Sequence, residues 1–167
     1  PPPPPDSWAA LLRTWGAAPE RLPAVPDDRA RIESAVLAAL VDHDVVVINA
    51  GSSAGREDFT PDVIAGVGEL LVHGINVMPG KPTALGVSRE GKALVGLPGY
   101  PVSAVVAAER LLRPLVAAHL GVLPGERETL RARVVRKVPS KIGHEEVVRA
   151  QVGHVRGQWI ATPMRRG

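Results

Sequence analysis

The chain has 167 residues, enough for one full domain and part of another, and 45% of them are apolar although Phe and Tyr occur once each. The core must therefore consist mainly of Ala, Val and Leu. The absence of cysteine excludes disulfides, cysteine-ligated metals and thiolate chemistry, which favours a cytoplasmic location. The longest apolar stretch, residues 100–121, is interrupted by charged side chains and a proline, so no membrane span is expected.

The net charge of +3 conceals two chemically different parts. Residues 126–167 carry ten Lys/Arg and four Asp/Glu, a net of +6, which leaves the first 125 residues at −3. In the basic part the charges alternate with Val and Leu, as on the solvated face of a strand, and only Trp159 offers a ring for stacking on a base. Nucleic acid is therefore not expected as a partner.

Two helices are predicted after residues 1–5, whose five prolines indicate an extended linker. The first begins at Asp6 or Ser7 and ends before Gly16, because apolar residues recur at i, i+3, i+4 and i+7, namely at Trp8, Leu11, Leu12 and Trp15. A short extended piece near "RLPAV" follows. Asp27 or Asp28 then caps a second helix that runs to about residue 43.

A strand covered on both faces is predicted at "DVVVINAG", residues 44–51, and a continuous apolar run of that kind favours a parallel sheet. The next predicted helix, residues 60–74, has Thr60 as its N-cap, Pro61 in its first turn and Gly74 at its end. Two short strands, "TALGVS" and "KALVGL", are joined by a hairpin turn at Gly91. A long helix then covers about residues 101–120.

Alternating helices and strands over residues 7–120 predict an α/β layered domain, which we assign to residues 6–123. Parallel strands require crossover connections, and the first predicted helix has no strand before it, so the first strand of the sheet is expected to be missing from the chain. From residue 124 onward the apolar period changes to two. Residues 124–167 are therefore predicted to form a small antiparallel β domain.

Ligands of open α/β sheets collect where strands end and helices begin, and the loop at residues 49–61 has that position. Gly51 and Gly55 permit close backbone approach, and Ser52 and Ser53 add hydroxyl donors, so the loop is a candidate anion-binding site. The alternative is an ordinary flexible βα loop.

Two charged residues in these loops are candidates for chemistry. Asp58 could hold Mg²⁺ against a phosphate, although a surface carboxylate favoured by the helix dipole is an equal alternative. Lys81 lies between Pro79 and Pro82 in "MPGKPTALG", which holds the lysine on a rigid turn that suits an oxyanion. A solvated lysine in a proline-rich turn is the alternative there.

The third candidate loop is "LPGYPVSA", residues 97–104. Pro101 is expected at the first helical position, so the amides of residues 102–104 would be free at the helix start, beside the hydroxyl of Ser103. Pro98 and Gly99 would direct the incoming strand so that this helix start faces the same cleft as the other two loops. A stiff connection between strand and helix is the structural alternative.

The motifs "AGSSAGREDFT", "MPGKPTALG" and "LPGYPVSA", followed by "VPSKIGHEEVVRA", occur together in one known family. Over about residues 6–167 the chain resembles the C-terminal half of the molybdopterin molybdenumtransferases, the MoeA-like family that includes the gephyrin E domain. The resemblance implies a three-layer MogA-like α/β domain with a mostly parallel sheet, followed by a small barrel-like β domain that is incomplete in this chain.

The resemblance also implies an activity, the insertion of molybdenum from molybdate into adenylylated molybdopterin with release of AMP and assistance from Mg²⁺. It implies a homodimer whose site is completed by a domain of the partner subunit. The matching positions are Gly51, Ser53 and Gly55 in the first loop, Asp58 as the metal or catalytic carboxylate, Lys81, and Pro98, Gly99, Pro101 and Ser103 in the last loop, with Ser52 and Tyr100 beside them as further binding candidates.

Three positions depart from the family pattern. Ala50 replaces a loop glycine, Met78 replaces a Lys or Arg, and Tyr100 stands where Asn is more frequent. The family's linker domains and its Gly-Asp-Glu strand are not found. Two alternatives remain open: MogA-like adenylylation of molybdopterin, and a non-catalytic module that binds a pterin or a partner, which the missing cation at Met78 slightly favours.

Overall fold

The computed structural model describes residues 5–49 and 59–164, with side chains from residue 8 onward. Its residues form two compact units, one comprising the chain up to residue 75 together with 79–124, the other comprising 76–78 and the chain from residue 125. In chain order the elements are α1 (Pro5–Thr14), α2 (Arg29–Asp42), β1 (Val45–Asn49), α3 (Thr60–Val67), β2 (Gly68–His73), β3 (Val77–Met78), β4 (Ala84–Ser88), β5 (Ala93–Leu97), α4 (Pro101–Ala107), a π-helical segment (Ala108–Leu112), α5 (Arg113–His119), β6 (Arg133–Val134), β7 (Glu145–Glu146), β8 (Ala150–Val155) and β9 (Gln158–Pro163).

Several local predictions are confirmed. Asp28 is the N-cap of α2, and its carboxylate accepts the N–H of Arg31 at 2.9 Å. Gly91 lies in the β4–β5 turn with φ +82°, a conformation that glycine adopts without strain. At the start of the chain, Pro5 belongs to α1 rather than to the expected linker. The N-cap of α3 is Phe59 rather than Thr60, a shift of one residue.

The sheet of the first unit has the strand order β1-β5-β4-β2. β1 and β5 are parallel, whereas β5–β4 and β4–β2 are antiparallel. The α/β class is confirmed, but the mostly parallel sheet is corrected to a mixed one. The reason is local: β4 and β5 are joined by a short hairpin, and short turns can connect only antiparallel strands. β1 is an edge strand among the described residues. Val46 lies in one core cluster and Val45 packs against the other, so both faces of the strand are covered as predicted, although Val47 remains 37% exposed.

The predicted helix over residues 60–74 is too long. α3 ends at Val67, and Gly68 begins β2, which pairs with β4. At Gly68 the backbone approaches β4 so closely that a Cβ there would lie 2.0 Å from the carbonyl oxygen of Val87. Backbone pairing with β4 thus overrides the helical propensity of residues 68–73.

Helices cover both faces of the sheet and produce the expected three layers. One core cluster joins α2 and α3 to one face, and the other joins α4, α5 and α1 to the opposite face. Successive residues of β5 contribute to different clusters, because side chains alternate between the two faces of a strand: Leu94 belongs to the first cluster and Val95 to the second. β5 is therefore the strand around which both cores are built.

The long helix over residues 101–119 contains the π-helical segment Ala108–Leu112. Pro114 follows this segment and has no N–H to donate to the preceding turn, which is a usual cause of such a widening. The helical segments follow one another from Pro101 to His119 without a break, as predicted, but they are not uniformly α-helical.

In the second unit, β8 and β9 form an antiparallel hairpin with Arg156 and Gly157 at positive φ in the turn. The short pairs β6–β9 and β3–β7 are parallel. The predicted antiparallel pairing is thus confirmed for the hairpin and wrong for these two-residue pairs. Across both described segments, no helix is long and apolar enough to cross a membrane.

Candidate functional site

Several strands and loops of the first unit begin or end near the carboxyl ends of β1 and β5, and we call this end of the strands the sheet edge. β1 ends at Asn49, which pairs with Leu97 at the end of β5. On the adjacent face, a Cβ built on Gly96 would lie 2.4 Å from Cγ2 of Thr60, the first residue of α3. The connection from Asn49 to Thr60 therefore leaves and returns close to this edge. Its candidate site residues, Gly51, Ser52, Ser53, Gly55 and Asp58, lie outside the described residues, as does Ala50.

The connection from β5 to α4 carries the next group of candidates. Pro98 is buried and Gly99 is half-buried, whereas the side chain of Tyr100 is 67% exposed. Pro101 starts α4 as predicted, and Ser103 is half-buried in its first turn. The N–H of Ala104 donates to the carbonyl of Tyr100 at 2.9 Å, so the prediction that this amide is free is wrong.

The turn at residues 79–82 packs against α4. Gly80 is buried with φ +129°, and a Cβ there would lie 3.6 Å from the carbonyl oxygen of Ser103 and 3.7 Å from Ala107. The side chain of Lys81 is exposed. Through Gly80, the turn that carries Lys81 thus packs against Ser103 and Ala107 of α4.

The turn does not lead from a strand into a helix but precedes β4, whose first residue, Ala84, pairs with Gly96 of β5. Because β4 is antiparallel to β5, its amino end lies beside the carboxyl end of β5. His73 at the end of β2 pairs with Ala84 and reaches the same edge.

Two threonines at this edge are buried, and neither was predicted from the sequence as a site residue. Thr83 has no exposed surface, and its hydroxyl donates to the carbonyl of Gly80 at 2.6 Å. Thr60 is 6% exposed at the start of α3. The only signal in the sequence was that each threonine lies next to a proline, Thr60 as a predicted N-cap and Thr83 within the motif that contains Lys81.

Met78 and Tyr100, the two described residues that differ from the pattern of the resembled family, lie in different units of the structure. Met78 lies in β3 of the second unit, where its carbonyl accepts the N–H of Val147 at 2.8 Å. Tyr100 is exposed and directly precedes α4. The buried Pro98 lies two residues before it.

Chemically, the described part of this edge suits an anion. Lys81, whose side chain is exposed, lies in the turn that packs against α4, and Ser103 lies in the first turn of that helix. Within residues 5–49 and 59–164, no three His, Cys, Asp or Glu side chains are grouped so as to hold a metal ion. A separate, mainly apolar groove of about 440 Å³ lies between residues 20–26 and α2, and none of the candidate residues lines it.

Comparisons with known proteins agree with this architecture. The crystal structure of the molybdopterin biosynthesis MoeA protein from Pyrococcus horikoshii matches with a TM-score of 0.73 and 32% identity, over 96% of this chain and 38% of that chain. The molybdopterin molybdenumtransferase of Haemophilus influenzae is 42% identical over 97 residues, which are 58% of this chain and 24% of that protein. Molybdopterin molybdenumtransferase 1 of Mycobacterium tuberculosis is 30% identical over 145 residues, 86% of this chain and 34% of that protein.

The chain thus spans only 24% and 34% of the length of these two curated relatives. Residues 7–118, which include every element from β1 to α4 and both described candidate turns, match the family described as "Probable molybdopterin binding domain". The chain therefore belongs to this molybdopterin-binding family of molybdenum cofactor biosynthesis, with MoeA-like proteins among its relatives.

Proposed function

We propose that the protein is a molybdopterin molybdenumtransferase, which inserts molybdenum from molybdate into adenylylated molybdopterin and releases AMP. The family and the names of the relatives support a role in molybdenum cofactor biosynthesis. The observation that carries the assignment is the packing of the Lys81 turn against α4, at the edge where β1 and β5 end. This arrangement offers donors to anions, and both proposed reactants are anions.

The described residues have distinct roles in this proposal. Lys81 attracts molybdate, since an exposed ammonium group on a fixed turn is a preorganised partner for an oxyanion. The start of α4, with Ser103, holds a phosphate group of the pterin substrate. Pro98, Gly99 and Pro101 keep this donor group in place before the ligand binds, which reduces the ordering cost of binding. Tyr100 presents a ring surface beside it.

The remaining roles fall to the loop after β1. Gly51, Ser52, Ser53 and Gly55 would surround a phosphate with backbone and hydroxyl donors. Asp58 would hold Mg²⁺ together with phosphate oxygens of the substrate, a usual mode for this ion, which keeps several waters and needs few protein carboxylates. When bound, the ion would polarise the phosphoanhydride bond. We also propose a homodimer in the cytoplasm.

A product analysis tests this function. The intact protein is incubated with adenylylated molybdopterin, molybdate and Mg²⁺, and the products are identified. Molybdenum cofactor and AMP are expected. In a second reaction with molybdopterin and ATP, accumulation of adenylylated molybdopterin would instead identify an adenylyltransferase. Tight binding of the pterin without any product would identify a binding module.

Two substitutions test the assigned roles. Asp58→Asn and Lys81→Ala are each expected to reduce molybdenum insertion by about 100-fold, the usual range for a group that stabilises developing charge or positions a reactant. Lys141→Ala changes an exposed lysine of the second unit and serves as the control. Near-normal insertion by both Asp58→Asn and Lys81→Ala would refute the mechanism.

A further inference from the structure

Thr83 is buried completely at the end of the Lys81 turn, and its hydroxyl, N–H and carbonyl are all hydrogen-bonded. Its hydroxyl donates to the carbonyl of Gly80 at 2.6 Å, and its N–H donates to the carbonyl of Lys81 at 2.9 Å. Its own carbonyl accepts the N–H of Gly74 at 2.8 Å. Thr83 therefore forms hydrogen bonds within the turn, to Gly80 and Lys81, and with Gly74, the residue after β2.

The backbone of Lys81 is fixed from a second direction. Its carbonyl also accepts the N–H of Ile75 at 2.9 Å, so two donors converge on this one oxygen. Gly80, the preceding residue, lies against the backbone of α4. The side chain of Lys81 is exposed, whereas the peptide groups on both sides of it are held.

The flanking prolines alone cannot account for this rigidity. Pro79 and Pro82 restrict their own φ angles, but Gly80 lies between them at φ +129° and has the widest conformational freedom of any residue. The hydroxyl of Thr83 closes a ring on the carbonyl of Gly80 and removes that freedom. Because both residues are buried, loss of the hydroxyl would leave a buried carbonyl without this donor.

We propose that Thr83 is a positioning residue that holds Lys81 in the orientation required to bind the oxyanion substrate. This inference rests on the proposed function, in which Lys81 attracts molybdate. Thr83 does not touch the substrate and acts through Lys81 alone. A mobile lysine would still attract the anion, but its ammonium group would have to be ordered at each binding event.

A double-mutant cycle tests the coupling. Thr83→Val replaces the hydroxyl by a methyl group of similar size, and Thr83→Ser retains the hydroxyl. Thr83→Val is expected to raise the KM for molybdate by about tenfold, whereas Thr83→Ser stays close to the unmodified protein. In a Lys81→Ala background, Thr83→Val should have little further effect, because residues that act as a unit are not additive. Equal effects of Thr83→Val in both backgrounds would overturn the inference.

Amide hydrogen exchange gives a readout that does not depend on turnover. The N–H of Ile75 reports on the turn because it donates to Lys81. We expect its exchange to accelerate in Thr83→Val and in Thr83→Ala, which is the substitute if the valine variant does not fold, but not in Thr83→Ser. Unchanged exchange in the variants that lack the hydroxyl would overturn the inference.

The two levels of the hypothesis fail in different ways. If the protein inserts molybdenum but Lys81→Ala leaves the KM for molybdate unchanged, the role of Lys81 and the positioning role of Thr83 are both refuted while the function stands. If the unmodified protein inserts no molybdenum, the proposed function fails and with it the positioning of Lys81 for molybdate. The exchange measurement then still decides whether Thr83 holds the turn.

Discussion

The ammonium nitrogen of Lys92 donates a hydrogen bond to the carbonyl oxygen of Leu40 at 2.5 Å, which joins the turn before β5 to the last turn of α2. The carbonyls at a helix C-terminus have no partners within the helix, and a cation there also interacts favourably with the helix dipole. Lys92 therefore connects two elements on one side of the sheet without belonging to the candidate site.

We predict that Lys92→Met lowers the free energy of unfolding by about 1 to 2 kcal/mol, because a charge-assisted hydrogen bond at a helix end is lost. Urea denaturation measures the difference. Lys81→Met is the matched control, since Lys81 is exposed, and it should change stability by less than about 0.5 kcal/mol. Equal stability of the two variants would contradict the capping role of Lys92.

Gly68 provides a second prediction, at the point where α3 changes into β2. A Cβ at this position would lie 2.0 Å from the carbonyl oxygen of Val87 and 2.7 Å from Cα of Ser88. Both atoms belong to backbone and cannot rotate away, so we expect Gly68→Ala to cost at least about 3 kcal/mol or to prevent folding. Thermal unfolding measures the loss.

Gly153→Ala is the control for this substitution. Gly153 lies in β8, and nothing stands within 4 Å of a Cβ built there. Its substitution should change stability by less than about 0.5 kcal/mol. A Gly68→Ala variant that unfolds at the same temperature as Gly153→Ala would show that β2 does not approach β4 as described.

The ring of His43 joins two segments, because Nδ1 lies 2.9 Å from the carbonyl oxygen of Ala39 and Nε2 lies 3.1 Å from Oε2 of Glu20. The hydrogen bond to Ala39, and after it the interaction with Glu20, raises the pKa of His43 above the ordinary 6.5. A pKa that is higher in the folded state contributes stability below the unfolded pKa, and this contribution is lost as the pH rises through the folded value.

We therefore expect His43→Gln to destabilise the protein more at about pH 5.5 than at about pH 8.5. An NMR titration should give His43 a pKa above 6.5, and Glu20→Gln should move it downward. A pKa of 6.5 or below, or a difference in stability that grows with pH, would contradict the described contacts.

Tyr100 stands where the resemblance to the family leads us to expect Asn more often. Its side chain is 67% exposed, so substitution should hardly affect stability. If its ring stacks on the pterin, Tyr100→Ala should raise the KM for adenylylated molybdopterin by about three- to tenfold, while Tyr100→Phe leaves it unchanged. Equal KM values for the alanine and phenylalanine variants would exclude stacking, and steady-state kinetics decides.

Short stretches of sequence were sufficient to predict helix caps and tight turns, because these features depend on contacts between residues close together in the chain. Asp28 caps α2 because a short carboxylate can reach the free amides of the next turn, and Gly91 allows the hairpin because it lacks a Cβ. The motifs around Lys81 and Pro101 also identified the two turns that meet at one sheet edge.

Other features could not be predicted from a window of sequence. The pattern after Thr60 suited one long helix, but residues 68–73 lie beside β4 and are extended because their backbone groups pair with that strand. The importance of Thr83 was also hidden, since a threonine after a proline carries no special signal until its burial and its bond to Gly80 are known.

The sequence by itself therefore determined the helix caps, the tight turns, the α/β class and the family, because these depend on residue types at short spacing. Only the tertiary structure decided that the sheet is mixed, that Gly80 in the Lys81 turn packs against α4, and that the hydroxyl of the buried Thr83 donates to the carbonyl of Gly80. These relationships join residues through strand pairing and burial. Such contacts depend on which segments lie side by side after folding, a property that no single stretch of the chain encodes.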